Sequence, residues 1–440
     1  MFRTKFITTL FTLFAVAFFT SCDDDSSNPT DSGMTPTTKI RVIHASYDAP
    51  AVDVRVDGDV AIQGLAYGES SGYAEVPVGT RNVTVTPAGA TAPVVIDADL
   101  TLQEGTEYTV YAVGDLGNIE AILTTDDRAP SATQTKIRFV HAAPDAPAVD
   151  IKLNDGNGAT VFAGQAFKGT TAYTEVAPGS YTFAVTAASA TAEVVIFEPV
   201  TVAAGNVLTV VARGTLDNTD NVPFEVRVFV DNNSGDTSLD LAAATANVNV
   251  THASPDAPGV DLLVDGLVVN GSALTFPNST GYLPVAAGTR NVKVNASGTS
   301  TSVIDANLDL DPMMNYSVFA IGELANIAPL VLVDDLTAPA SGQAHVRFLH
   351  LSPDAPTVDI TLDDGSVVFD DRSFNDDNTG AFTPLAAGAY DLQVRSADGS
   401  VIVLDLPTIT LENGKIYTIF ARGFATGASA NLNAEIIANN

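Results

Sequence analysis

His252-Ala253-Ser254-Pro255-Asp256-Ala257-Pro258-Gly259-Val260-Asp261 is the stretch on which the fold turns. It recurs without a gap as His44-Ala45-Ser46-Tyr47-Asp48-Ala49-Pro50-Ala51-Val52-Asp53, as His141-Ala142-Ala143-Pro144-Asp145-Ala146-Pro147-Ala148-Val149-Asp150 and as His350-Leu351-Ser352-Pro353-Asp354-Ala355-Pro356-Thr357-Val358-Asp359. The histidines stand 97, 111 and 98 residues apart. Other landmarks keep the same order: Val78-Gly79-Thr80-Arg81 answers to Pro178-Gly179-Ser180-Tyr181, Ala287-Gly288-Thr289-Arg290 and Ala387-Gly388-Ala389-Tyr390. The chain is therefore four tandem copies of one unit of about 90 residues.

Around the motif the residues alternate. Val52-Asp53-Val54-Arg55-Val56-Asp57 and Asn82-Val83-Thr84-Val85-Thr86 place apolar side chains at every second position, the period of a half-buried strand. Asp-Gly pairs at 57–58, 155–156, 265–266 and 364–365 supply hairpin turns between such strands. No stretch holds a helical period with caps. Each unit thus reads as a β-sandwich of about seven strands. Polar stretches at 127–135, 231–247 and 335–343 separate repeats expected at 39–127, 136–231, 247–335 and 344–440. With a full set of landmarks and polar linkers, each repeat is expected to fold as its own domain.

The His-Ala-Ser-Pro-Asp-Ala-Pro-x-Val-Asp opening, followed by an alternating strand and a Gly-ended turn, resembles the bacterial domain of unknown function 4397. The resemblance covers residues 40–440 in four copies. It implies immunoglobulin-like or transthyretin-like β-sandwiches in an all-β chain, and it carries no activity and no catalytic residues.

Composition bounds the partners. Twenty Lys and Arg against 52 Asp and Glu leave a net charge of −32, which repels phosphate backbones and excludes nucleic acid. Hydrophobic residues make up 46% and charged ones 16%, too apolar a balance for disorder. Cys22 is the sole cysteine, so the chain has no internal disulfide and no thiolate cluster.

Residues 1–21 read as a signal peptide, with Arg3 and Lys5 ahead of an apolar run from Phe6 to Phe19. Phe19-Thr20-Ser21-Cys22 resembles a bacterial lipobox, although Phe19 replaces the usual Leu. Lipid on Cys22 would then anchor the chain to a membrane, each buried methylene contributing about 0.8 kcal/mol. Asp23, Asp24 and Asp25 are similar to the surface-export signal of Bacteroidota lipoproteins, whereas in enterobacteria an Asp in second position favours inner-membrane retention. An outer-membrane, surface-exposed protein is the expectation. Residues 22–38 form a polar tether, a coil spanning about 22 Å.

Three constellations could carry chemistry. The first is His-x3-Asp-x4-Asp, that is His44, Asp48 and Asp53; His141, Asp145 and Asp150; His252, Asp256 and Asp261; His350, Asp354 and Asp359. An imidazole beside carboxylates suits a general base or a metal. Register favours a structural role, because Ile40, Val42 and His44 share a core-facing row while Asp53 points away from it. Asp48 precedes Ala49-Pro50, where an Asp bonds the amides of its own turn. The second is Gly68-Glu69-Ser70-Ser71-Gly72, a G-x-S-x-G match that leads into a strand rather than a helix and so lacks the nucleophile geometry. The third is calcium, at Asp57-Gly58-Asp59, Asp126-Asp127, Asp334-Asp335, Asp363-Asp364, Asp370-Asp371 and Asp376-Asp377. None has the alternating ligands and closing carboxylate of a calcium loop, so these read as turns and solvated linkers, with calcium between domains as the alternative.

No catalytic residue, cofactor or metal site is expected. The leading reading is a non-enzymatic envelope lipoprotein, a sandwich array serving as spacer, adhesion or ligand-binding module for a glycan or an envelope protein. The alternative is an envelope hydrolase or carbohydrate-active protein using one divergent repeat, with the fourth, through its Asp370 to Asp377 insertion, as the candidate.

Overall fold

A computed structural model of the protein describes residues 35–154, 156–190, 193–216, 222–233, 237–376, 380–426 and 431–440. The expected signal peptide, Cys22 and the tether up to residue 34 lie outside them. The first repeat has eight strands rather than seven: β1 (Thr37–His44), β2 (Val52–Val56), β3 (Asp59–Leu65), β4 (Ala74–Pro77), β5 (Gly79–Pro87), β6 (Ile96–Leu102), β7 (Glu107–Val113) and β8 (Glu120–Asp126). They form two four-stranded sheets, ordered β4-β1-β7-β8 and β3-β2-β5-β6. All neighbours are antiparallel except β1 and β7, which run parallel with Val42 opposite Val110. Alternate residues of both sheets, among them Ile40, Val42, Val54, Val85 and Val110, fill the space between.

The other repeats reuse this plan with local departures. The tether ends earlier than expected, because Thr37 and Thr38 already pair with Pro77 and Val76 in β1. The polar stretch after residue 231 is not wholly a linker. Ser238–Leu241 adds a fifth strand beside Glu225–Val230, and Leu241 packs into the second core, so the second repeat extends past its expected end. In the third repeat the core divides into two clusters around an apolar cavity of about 40 Å³. Val250 stands there where the second and fourth repeats place Phe139 and Phe348. The helices among the described residues are two short 3-10 turns, Leu116–Asn118 and Leu324–Asn326. No helix among the described residues is long and apolar enough to cross a membrane.

Strands β1 and β7 are buried on both faces, whereas the sequence assigned β1 a single core-facing row. Their inner face meets β2 and β5. Their outer face carries Ile43, Tyr111 and Val113 against Val140, Val211 and Phe229 of the second repeat. Repeats three and four meet in the same way through Phe319, Ile321, Leu330, Leu349 and Phe420. Repeats two and three share a smaller joint, in which Ala242–Ala244 run alongside Ile196 and Phe197. The array is two face-to-face pairs joined in the middle.

Candidate functional site

The recurring histidine ends β1, or its equivalent, under the turn that follows. Its ring is buried in all four repeats, and Nε2 donates to a proline carbonyl six residues on: Pro50 at 3.0 Å, Pro147 at 3.2 Å, Pro258 at 2.9 Å and Pro356 at 3.1 Å. A carbonyl can only accept, so Nε2 carries the proton and the neutral ring leaves Nδ1 bare. Among the described residues Nδ1 has no hydrogen-bond partner in any repeat. Burial lowers the pKa of all four rings, outweighing the proline carbonyls, which favour the charged form. The unfolded chain binds protons near the ordinary value of about 6.5 while the folded ring does not. This contribution to stability is therefore whole above that pH and falls as pH drops below it, levelling off once the folded ring also titrates.

Replacing His252 by Ala strands the Pro258 carbonyl and empties a fully buried site, and losing one such partner costs about 1–3 kcal/mol. Thermal unfolding of the full chain is expected to show that loss, with a flatter pH dependence between pH 7 and 5. Unchanged melting in the four corresponding variants, with stoichiometric metal lost from each, would make the ring a ligand instead.

The two aspartates tie loops together, and the first does so differently from expectation. Asp48 does not bond the amides of its own turn; its Oδ1 accepts from Leu116 N at 2.7 Å, in the loop after β7. Asp145, Asp256 and Asp354 accept in the same way from Leu216, Leu324 and Ala425. Asp53 faces away from the core, and its two oxygens accept from Gly64 N and Gly89 N at 2.8 and 2.9 Å. Those amides hold its carboxyl below the usual carboxylate range. Asp150 bonds Gly164 and Ser189, Asp261 bonds Ser297 and Gly298, and Asp359 bonds the amide of Asp371. The motif thus ties its opening turn to three other segments in the first two repeats and to two in the third and fourth.

The remaining candidates take up local roles. Ser70 sits beside Ile43 in an isolated bridge ahead of β4, with no helix behind it. Asp57 bonds the Asn82 amide and pairs with Arg81. Asp335 and Asp364 bond the amides of Thr337 and Ser366. Asp377 lies outside the described residues. Among the described residues no three His, Cys, Asp or Glu side chains are grouped to hold a metal ion.

Asp126 and Asp334, read above as solvated, and Asp231, read as the start of a linker, are instead fully or almost fully buried between paired repeats. Arg41 Nη2 lies 2.8 Å from Asp231 Oδ1, and Arg138 Nη2 lies 2.6 Å from Asp126 Oδ1, so each repeat offers its cation to the other's carboxylate. These are charge contacts off the hydrogen-bond axis. The second carboxylate oxygen is held within its own repeat: Asp126 Oδ2 accepts from Tyr73 at 2.7 Å and Thr109 at 2.6 Å, and Asp231 Oδ2 accepts from Tyr173 and Thr209, both at 2.6 Å. Arg41 and Arg138 lie over the rings of Tyr73 and Tyr173, at 4.8 and 4.6 Å. Burial, foremost, raises the tyrosine pKa values well above the phenol range, so both hydroxyls stay protonated and donate.

The second pair carries half of this network. Arg347 Nη1 meets Asp334 Oδ1 at 2.7 Å with both side chains fully buried, and Tyr282 and Ser317 donate to Asp334. On the mirror side Asn249 replaces the arginine and Asn439 replaces the aspartate. Asn439 accepts from Thr418 at 2.8 Å and donates to Tyr282 at 3.1 Å. The sequence held a trace of this network. Arg41, Arg138, Asn249 and Arg347 each stand three residues before the motif histidine, as buried polar groups inside its strand. Asp231 lies 190 residues from Arg41, and although Asp126 and Asp334 lie only 12 and 13 residues before Arg138 and Arg347, each stands in the preceding repeat, across a boundary that no strand period crosses.

Geometry that repeats in every sandwich is the mark of a common ancestral unit, and a family model matches this chain at residues 38–152, 155–241 and 246–361. The chain belongs to the DUF4397 family, a domain of unknown function. The matches are three rather than four; the first and third each run from the opening strand of one repeat into the second strand of its paired neighbour. No curated protein matches the chain. Among solved structures, the Bacillus anthracis TIE protein is similar at 11% identity over 89% of this chain and 69% of that one, with a TM-score of 0.18. A score that low supports no inference about arrangement or role.

Proposed function

We propose that this tandem DUF4397 chain is a non-enzymatic, lipid-anchored envelope protein whose sandwiches form a spacer that carries adhesion or ligand-binding surfaces. One observation supports this reading above others: the imidazole and both carboxylates of the motif, the groups best suited to chemistry, are engaged by backbone in all four repeats. Pairing of the repeats suits a spacer, because it removes hinges at two of three junctions.

The anchor rests on the lipobox-like Phe19-Thr20-Ser21-Cys22. Cys22→Ala is expected to leave unprocessed precursor or to release soluble protein on fractionation of the producing cells. A normally processed, membrane-bound variant would overturn the lipoprotein reading.

The third repeat, rather than the fourth with its Asp370 to Asp377 insertion, carries an open polar cleft, and that cleft favours ligand binding over hydrolysis. Where the strand opposite Val260–Val264 stops after Leu267–Val268, the chain opens into a cleft of about 460 Å³ lined by Asn270, Ser272, Thr275, Asn278 and Thr280. Neutral amides and hydroxyls suit a sugar, and none of the lining residues is an acid, a base or a nucleophile paired with one. A glycan and envelope-protein screen on residues 35–440 tests this; starting at Lys39 would cut into β1. Binding abolished by Asn278→Ala supports the cleft. Turnover of a glycoside or ester by the same fragment would replace the proposal with an enzyme.

A further inference from the structure

We propose that the buried charges on the pairing faces select which repeat pairs with which. Each face presents one residue from its first strand and one from its last: Arg41 and Asp126, Arg138 and Asp231, Asn249 and Asp334, Arg347 and Asn439. In the first pair, and at Arg347 and Asp334 of the second, the first-strand residue of one face meets the last-strand residue of the other; Asn249 and Asn439 hold the corresponding positions, and Asn439 donates to Tyr282 across the boundary. Repeats one and two then match cation to anion twice. Repeats three and four match once, through Arg347 and Asp334, and on the mirror side both partners are neutral.

The two asparagines are a linked exchange. Had only Asn249 replaced arginine, an aspartate at 439 would sit buried without a cation; had only Asn439 changed, an arginine at 249 would sit buried without an anion. Every cross-pairing recreates that fault. Repeat one against four sets Arg41 on Asn439, and two against four sets Arg138 on Asn439. Repeat three leaves Asp126 facing Asn249 when it meets one, and Asp231 facing Asn249 when it meets two. Repeats three and four are likewise barred from pairing with their own copies in another chain. The match leaves one-with-one and two-with-two open between chains, and there linkage within one chain favours one-with-two through its higher effective concentration. The rule therefore guards a chain of four similar sandwiches against misassembly, the characteristic failure of repeat proteins.

The surrounding apolar residues would serve as well if shape alone chose the partner, so the test separates charge from shape. In the full chain, Arg41→Asn and Asp231→Asn are made singly and together. Each single variant is expected to lower the melting temperature of the first pair, and the double variant to recover most of that loss. The double variant also gives repeats one and two the charges of three and four, so one-with-four and two-with-three become matched. After unfolding and refolding by dilution, light scattering is expected to show several-fold more oligomer in the double variant than in the parent. The complementary double variant, Asn249→Arg with Asn439→Asp, makes all four faces alike from the other direction and is expected to raise oligomers similarly. A double variant that melts no higher than its worse single would overturn the proposal, as would oligomer at the parental level in both doubles.

Discussion

Asp231→Ala is expected to destabilise the first two repeats by about 3–5 kcal/mol, the cost of breaking a buried ion pair from one side. The substitution leaves Arg41 charged and 3% exposed with no carboxylate in contact. It also strands the hydroxyls of Tyr173 and Thr209, each 2.6 Å from the lost oxygen. Water cannot repair the loss, because the site lies under the apolar cluster of Ile43, Tyr111, Val211 and Phe229. Denaturant unfolding of the full chain measures it, as an earlier transition for the first pair with the second pair unmoved. Removing an exposed charge such as Asp57, on the first repeat's hairpin, should change stability far less, because solvent screens its pair with Arg81.

Phe420→Ala should cost about as much, roughly 3–5 kcal/mol, by a different cause. Phe420 is fully buried and points out of its own core, with its ring 5.8 Å from that of Phe319 in an edge-to-face arrangement across the boundary. Truncation removes apolar contact from Leu330, Leu332 and Leu349 together and leaves a cavity neither repeat can close alone. The same unfolding experiment should show the second pair melting earlier as one transition. If the third repeat kept its parental midpoint while the fourth fell, the interface would contribute little to either.

Much of the sandwich was legible. Val52, Val54 and Val56 against Asp53 and Arg55 gave the period of a strand, and Asp57-Gly58 gave its turn, with Asp57 at φ 52° and Gly58 at φ 90° as a tight hairpin needs. The pairing was harder to see, because it is long-range packing with no local signature. Besides the polar residue three before each motif histidine, its trace is that strands such as Val207–Arg213 are apolar or small nearly throughout, a run that signals burial on both faces rather than one. The partner of Asp48 was likewise out of reach, since Leu116 lies 68 residues downstream and a short Asp before Ala-Pro fits a local turn equally well. Asp126 and Asp334 misled for a similar reason. Each is followed by a second aspartate that does face solvent or a linker, and adjacent acids read as one solvated pair. Polar linkers suggested repeats that fold singly, yet excising the third would bare Phe319, Ile321, Leu330 and Leu332.

The central claim is that the stable unit is a pair of sandwiches rather than a single one. Native-state hydrogen exchange on full-length Asp231→Ala tests it most directly. Amides of β2 and β5, in the far sheet of the first repeat and out of contact with residue 231, should exchange faster by the same factor as those of Val207–Arg213 in the second repeat. Amides of Asn315–Ile321 and Ile416–Arg422 should keep their parental rates. Faster exchange confined to the second repeat, with β2 and β5 unchanged, would contradict the account and make each sandwich an independent domain.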